Sequence, residues 1–211
     1  MAPDLDPDVT HVVWIGGTSC AGKTTVARLL AEACRLEVYS TDKHFDRHAR
    51  EAVQQTQPAM YAYQQDDPVM YQRHQAPVEK ASLWRDFYTE RFPMIVAELA
   101  EADRIVAEGV DLLPDCVTAV ADPARAVWLL PTRAFWETRH FTERDYVQDE
   151  HSVGTADRAW AYYEAMIDFH RQRAAALGLQ LIEVDGSTTA AEISSHLATS
   201  FGLQPAHEPR G

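Results

Sequence analysis

Residues 17–24 read Gly17-Thr18-Ser19-Cys20-Ala21-Gly22-Lys23-Thr24, which meets every fixed position of G-x-x-x-x-G-K-[ST]. Glycines at those positions let the backbone curl so that successive N–H groups point at phosphate oxygens, and a helix opening there adds its positive dipole end. Lys23 would reach the terminal phosphates, and the Thr24 hydroxyl would hold Mg²⁺. The candidate phosphate contacts are Gly17, Thr18, Ser19, Cys20, Ala21, Gly22, Lys23, Thr24 and Thr25. Cys20 is read as a small bystander, because backbone rather than side chain does the binding in such a loop. Two carboxylates complete the chemistry. Asp42 follows one apolar run, in Tyr39-Ser40-Thr41-Asp42, and Glu108 ends another, in Ile105-Val106-Ala107-Glu108. One suits the orientation and deprotonation of an acceptor hydroxyl, the other an oxygen contact to metal or acceptor.

These residues need a scaffold, and the chain alternates strand and helix. Short β-rich runs occur at His11–Ile15, Leu36–Thr41, Arg104–Val110, Ala126–Leu130 and Leu179–Val184, with residues 24–34 reading as a helix after the first. Strands separated by helices imply crossover connections, hence an α/β fold with a parallel five-stranded sheet and flanking helices. In such sheets ligands sit outside the carboxyl ends of the strands, where Asp42 and Glu108 fall. The expected organisation is one domain over 11–203, with loose tails at 1–10 and 204–211. The span 43–101 is too long for one crossover helix and reads as a helical insertion over the carboxyl edge of the sheet. A second helical region covers 132–177, where Trp160, Tyr163, Ile167, His170, Ala174 and Leu177 step by 3 and 4 along one buried face. Thr189 to Glu192 fits a capping box at the start of the last helix.

Two clusters of cations lie where they could meet anionic groups. After the fourth strand come Arg133, Arg139 and Arg144, in a candidate lid over 132–160. Guanidinium groups there would stabilise charge spread over a transferring phosphoryl group. Arg139 and Arg144 are the catalytic candidates, with Arg133 as a nucleotide contact. The alternative is a surface helix with i,i+4 pairs Arg133/Glu137 and Arg139/Glu143. Directly after Asp42, Lys43, Arg47 and Arg50 fall on one helix face. Lys43 and Arg47 are candidates for an anionic acceptor, and a solvated face with pairs such as Arg47/Glu51 is the other reading.

Composition narrows the partners. The 211 residues carry 32 acidic against 19 basic side chains, a formal net charge of −13, which argues against a general polyphosphate-backbone binder such as a nucleic-acid binder and leaves room for a local basic site. The 46 % hydrophobic and 24 % charged fractions are ordinary for a globular chain. Three cysteines without metal-ligand spacing point to a reducing compartment, and a cytoplasmic location is expected. No apolar run approaches membrane-spanning length and no secretory signal is visible, so no membrane partner is expected. The oligomeric state stays open.

Ile15 to Ser19 with Gly22-Lys23-Thr24-Thr25, then Ser40-Thr41-Asp42, then Glu108-Gly109-Val110-Asp111-Leu112-Leu113-Pro114 resemble the 2-phosphoglycerate kinase family. The first two blocks are also similar to chloramphenicol phosphotransferases and zeta-toxin-like kinases. The order of elements agrees over nearly the whole core. The chain departs from the first family at Asp111, where that family has a histidine, and at Lys43-His44-Phe45. The resemblance implies a P-loop small-molecule kinase that uses ATP and Mg²⁺ on a small-molecule hydroxyl, with an arginine-bearing lid. It maps Asp42 to the catalytic base and Glu108 to a metal-water or substrate contact. Nucleoside or nucleotide kinases and antibiotic O-phosphotransferases share this layout, and a nucleotide-binding switch ATPase is the alternative of another class.

Overall fold

The computed structural model describes residues 8–65, 76–142 and 155–204. Its sheet has five parallel strands, β1 (Val13–Gly17), β2 (Glu37–Ser40), β3 (Ile105–Glu108), β4 (Ala126–Pro131) and β5 (Gln180–Val184), in the order β2-β3-β1-β4-β5. The α/β class and the five strands are those expected, with shifted ends. β1 begins after His11 and Val12, because a turn closed by Val12 N donating to Val9 O occupies that stretch. β3 stops at Glu108 instead of running to Val110.

Alternation along the strands sends successive side chains to opposite faces. Val13, Ile15, Val127 and Leu129 meet α1 (Lys23–Cys34) and the C-terminal helix on one face, burying Val26, Leu30 and Leu197. Trp14, Ala107 and Trp128 point the other way, against Ile95, Val96 and Leu99. Burying side chains of that size contributes roughly 1.5–3 kcal/mol each, before conformational entropy is counted against it.

Among the described residues, the span 43–101 holds three helices, α2 (Thr41–Glu51), α3 (Pro58–Gln65) and α4 (Pro77–Leu99). The first half of α4 packs Trp84, Phe87 and Tyr88 with Met60 and Ala49. The second half covers the sheet and is itself the crossover into β3. Pro93, which withholds a backbone N–H, lies where the helix passes from one cluster to the other. α5 (Pro114–Thr118) follows β3. Among the described residues the region after β4 holds two helices, α6 (Arg133–Thr142) and α7 (Thr155–Leu177), and α8 (Ala190–Ser200) is the last helix. The α7 stripe is buried at Trp160, Ile167, His170 and Ala174, but Tyr163 is half-buried and Leu177, the last residue of the helix, is exposed. Thr189 and Glu192 form the expected capping box.

Candidate active site

The loop between β1 and α1 takes its shape from three positive-φ residues. Gly17 has φ +118°, and a Cβ there would lie 2.0 Å from the Leu129 carbonyl oxygen, so β1 can approach β4 this closely only with glycine. Gly22 has φ +79° as the N-cap of α1, and nothing lies within 4 Å of the Cβ it lacks, which leaves space in front of the helix N-terminus. Cys20 holds φ +65°, an uncommon conformation for a side-chain-bearing residue.

Lys23 is buried at the first position of α1, and its Nζ donates to Thr18 O at 2.8 Å. Burial pushes its pKa down, while the charges of Glu108, Asp42 and Asp111 act the other way. Among the described residues no carboxylate stands within ion-pair distance of this ammonium, so a buried cation with two further N–H donors faces the loop. That is an environment suited to a polyanion. Glu108 is also buried. It accepts from Thr24 Oγ1 at 3.1 Å and from Ser40 Oγ at 2.6 Å. The register explains the meeting, because Glu108 stands level with Ile15 of β1 and Ser40 of β2. A carboxylate beside a hydroxyl is the hard-oxygen set that Mg²⁺ takes alongside phosphate and water oxygens.

One cleft of about 260 Å³ is lined by Ser19, Cys20, Gly22, Lys23, Thr24, Thr25, Asp42, Glu108, Val110 and Arg139. The structure thus brings Lys23, Thr24, Asp42, Glu108 and Arg139 together from α1, α2, β3 and α6. Asp42 stands exposed in the first turn of α2, after the N-cap Ser40. Gly17, Thr18 and Ala21 belong to the same loop without lining the cleft.

Three other expected residues do not line it. Arg133 pairs with Glu137, Nε to Oε1 2.8 Å, and with Asp157. Lys43 is exposed beside Asp42. Arg47 is turned onto Glu98 and lies 3.8 Å from Glu51, so its charge is met by carboxylates of its own fold. Arg144 falls outside the described residues.

The sequence reading missed a buried group behind Asp42. Arg91, His48, Thr41 and Asp111 are all fully buried, and Arg91 touches each of the other three. Glu98 accepts from Tyr39 and pairs with His44 and His48 at the rim of this group. Burial alone would raise the Glu98 carboxyl, but the bonds from His48, Tyr39 and Arg47 bring it down to about 2. One signal was available: Arg91 interrupts the apolar stripe Trp84, Tyr88, Ile95, Leu99 at helical spacing.

No protein-family model matches the chain, and no curated protein matches it in sequence. Solved structures do match. Shikimate kinase from Acinetobacter baumannii in complex with shikimate is 16 % identical, with 91 % of this chain and 93 % of that one covered and a TM-score of 0.51. Shikimate kinase from Aquifex aeolicus is 16 % identical, over 90 % and 96 %, with a TM-score of 0.47. The YorR protein from Bacillus subtilis, in complex with phosphorylated GDP, is 13 % identical, over 91 % and 96 %, with a TM-score of 0.46. At this identity the first likeness establishes the fold, the one that shikimate kinase has, and does not reach the 2-phosphoglycerate kinase family in particular. Among the described residues no helix is long and apolar enough to cross a membrane.

Proposed function

We propose that the protein is an ATP-dependent kinase that phosphorylates a hydroxyl of a small molecule. The observation that carries this reading is the single cleft in which Lys23, Thr24, Asp42, Glu108 and Arg139 meet. The backbone of residues 17–25 and Lys23 hold the phosphates. Thr24 and Glu108 hold Mg²⁺, which when bound neutralises charge on the phosphate oxygens. Asp42 orients the acceptor hydroxyl and takes its proton, a role worth about 10²–10⁴ in rate. Arg139 faces the charge that develops on the transferring group. Shikimate bound to the Acinetobacter enzyme supports a small-molecule acceptor for this fold. The 2-phosphoglycerate kinase resemblance makes a phosphorylated hydroxy acid the first candidate. With Arg47 engaged by Glu98, Lys43 is the cation beside Asp42, and Lys23 and Arg139 are the cations that line the cleft with it.

The test is ³¹P NMR of ATP and Mg²⁺ with the protein and, in turn, phosphoglycerate, shikimate, nucleosides, sugars, and aminocyclitol or phenicol antibiotics. A kinase gives ADP and a new phosphomonoester with one acceptor class and idles with the others. ADP and inorganic phosphate at one rate in every tube would instead define a nucleotide-hydrolysing switch.

A further inference from the structure

The Arg91 guanidinium meets three groups at once. Nη1 pairs with the Asp111 carboxylate, Nη2 donates to the Thr41 carbonyl, and Nε donates to His48 Nδ1 at 3.1 Å. The last bond fixes the imidazole: Nδ1 accepts, so the ring proton is on Nε2, which faces Glu98 Oε1 at 2.9 Å. Thr41 and His48 are seven residues apart, two turns along the buried face of α2. Arg91 therefore grips α2 near its start and near its end. Asp42, the residue after Thr41, is exposed on the adjoining face and lines the cleft.

The same guanidinium reaches the other carboxylate of the cleft through the chain. Asp111 lies three residues beyond Glu108, and Glu108 is bonded to Ser40, the residue before Thr41. Gly109 closes the arrangement, since a Cβ there would lie 1.9 Å from Thr41 Oγ1 and 2.6 Å from Asp111 Oδ1. A fully buried ion pair is a poor route to stability, because apolar replacements of similar volume are often as stable or more so. What this one supplies is a fixed relation between α2 and the loop after β3.

We propose that Arg91 is a positioning residue for Asp42: by holding Thr41, His48 and Asp111 together it sets the distance between the Asp42 carboxylate and the phosphate loop. This rests on the reading of Asp42 as the proton acceptor. A displacement of about 1 Å at such a group is enough to cost on the order of 10²-fold in rate.

The variants are Arg91→Met, which keeps volume without charge, and Arg91→Lys, whose ammonium cannot span three partners. Both are combined with Asp42→Asn, using the best acceptor from the ³¹P screen. Each single Arg91 variant should lower kcat by roughly 10–10²-fold while MgADP affinity and acceptor KM hold. On the Asp42→Asn background neither should lower kcat further, because the group they position is already disabled. An additive loss on that background, or full kcat in both variants, overturns the proposal. If Asp42→Asn alone leaves turnover intact, the reading of the site is what fails. A crystal structure of the Arg91 variant then decides the positioning separately: an Asp42 carboxylate shifted against Lys23 upholds it, and an unmoved one overturns it. Should Arg91→Met not fold, Arg91→Lys carries both readouts.

Discussion

The phosphate-loop side of the cleft is built within residues 17–25, whereas the Asp42 side depends on Arg91, which lies 50 residues from Thr41 and 43 from His48. On the first side the working groups are backbone amides, shaped by Gly17 and Gly22 and completed by one lysine. On the second they are side chains on α2, held by other side chains buried beneath them. A site of the first kind tolerates change in its surroundings but not in its own few residues. A site of the second kind is sensitive to residues that never touch a ligand.

The broadest expected effect lies on the loop side, because it reaches turnover and nucleotide affinity together. Lys23→Ala removes the buried cation proposed to face the phosphates, and should cost at least about 10²–10³ in kcat together with MgADP affinity. The fold should survive, since an apolar residue there removes a desolvation penalty. Calorimetric titration with MgADP and thermal unfolding of the same sample check both halves, and unchanged turnover would break the comparison at its stronger end.

That asymmetry also governs what could be read from sequence. The loop is legible because its chemistry is local and needs glycines at fixed offsets, and Asp42 and Glu108 because strand ends face the ligand in a parallel sheet. Arg133/Glu137 and Arg47/Glu51 turned out to be the surface pairs that i,i+4 spacing allows. The Arg91 group was hidden because its partners are far apart in the chain, and pairing at that range follows from tertiary packing. Glu98 shows the same limit. Nothing local tells that it meets His44, Arg47 and His48, and so engages Arg47, one of the cations on that face of α2.

An intermediate effect is expected where the two sides are bridged. Arg139 lines the cleft from α6, and Arg139→Ala should lower kcat by about 10²-fold with a smaller change in MgADP affinity, because the charge it is proposed to meet develops only in the transition state. Steady-state kinetics beside the same titration separate the two, and wild-type values for both would return Arg139 to the surface of α6.

The smallest effects separate the two sides by acid. His170, fully buried on α7 and repelled by Lys23 of the loop side and by Arg85, has its pKa lowered by burial to about 4. Between pH 6.5 and 4 the unfolded chain binds a proton there that the folded chain refuses, so stability declines as the pH falls through that window. Glu98, on the other side, is depressed to about 2, so its contribution is full above pH 4.5 and is lost only as pH falls from there toward 2. Urea unfolding across pH should show two windows, the first flattened by His170→Leu and the second by Glu98→Gln. A single window flattened by either change would mean that the two sides are not independently held.

Asp42→Asn gives the most direct test of the central claim, that this cleft transfers a phosphoryl group with a nucleotide side and an acceptor side of separate function. Acceptor-dependent turnover and MgADP affinity are measured on the same preparation. The account predicts a kcat lower by about 10²–10⁴ with MgADP affinity unchanged. Nucleotide affinity that collapses while kcat survives would contradict it, and would make Asp42 part of the metal and phosphate site.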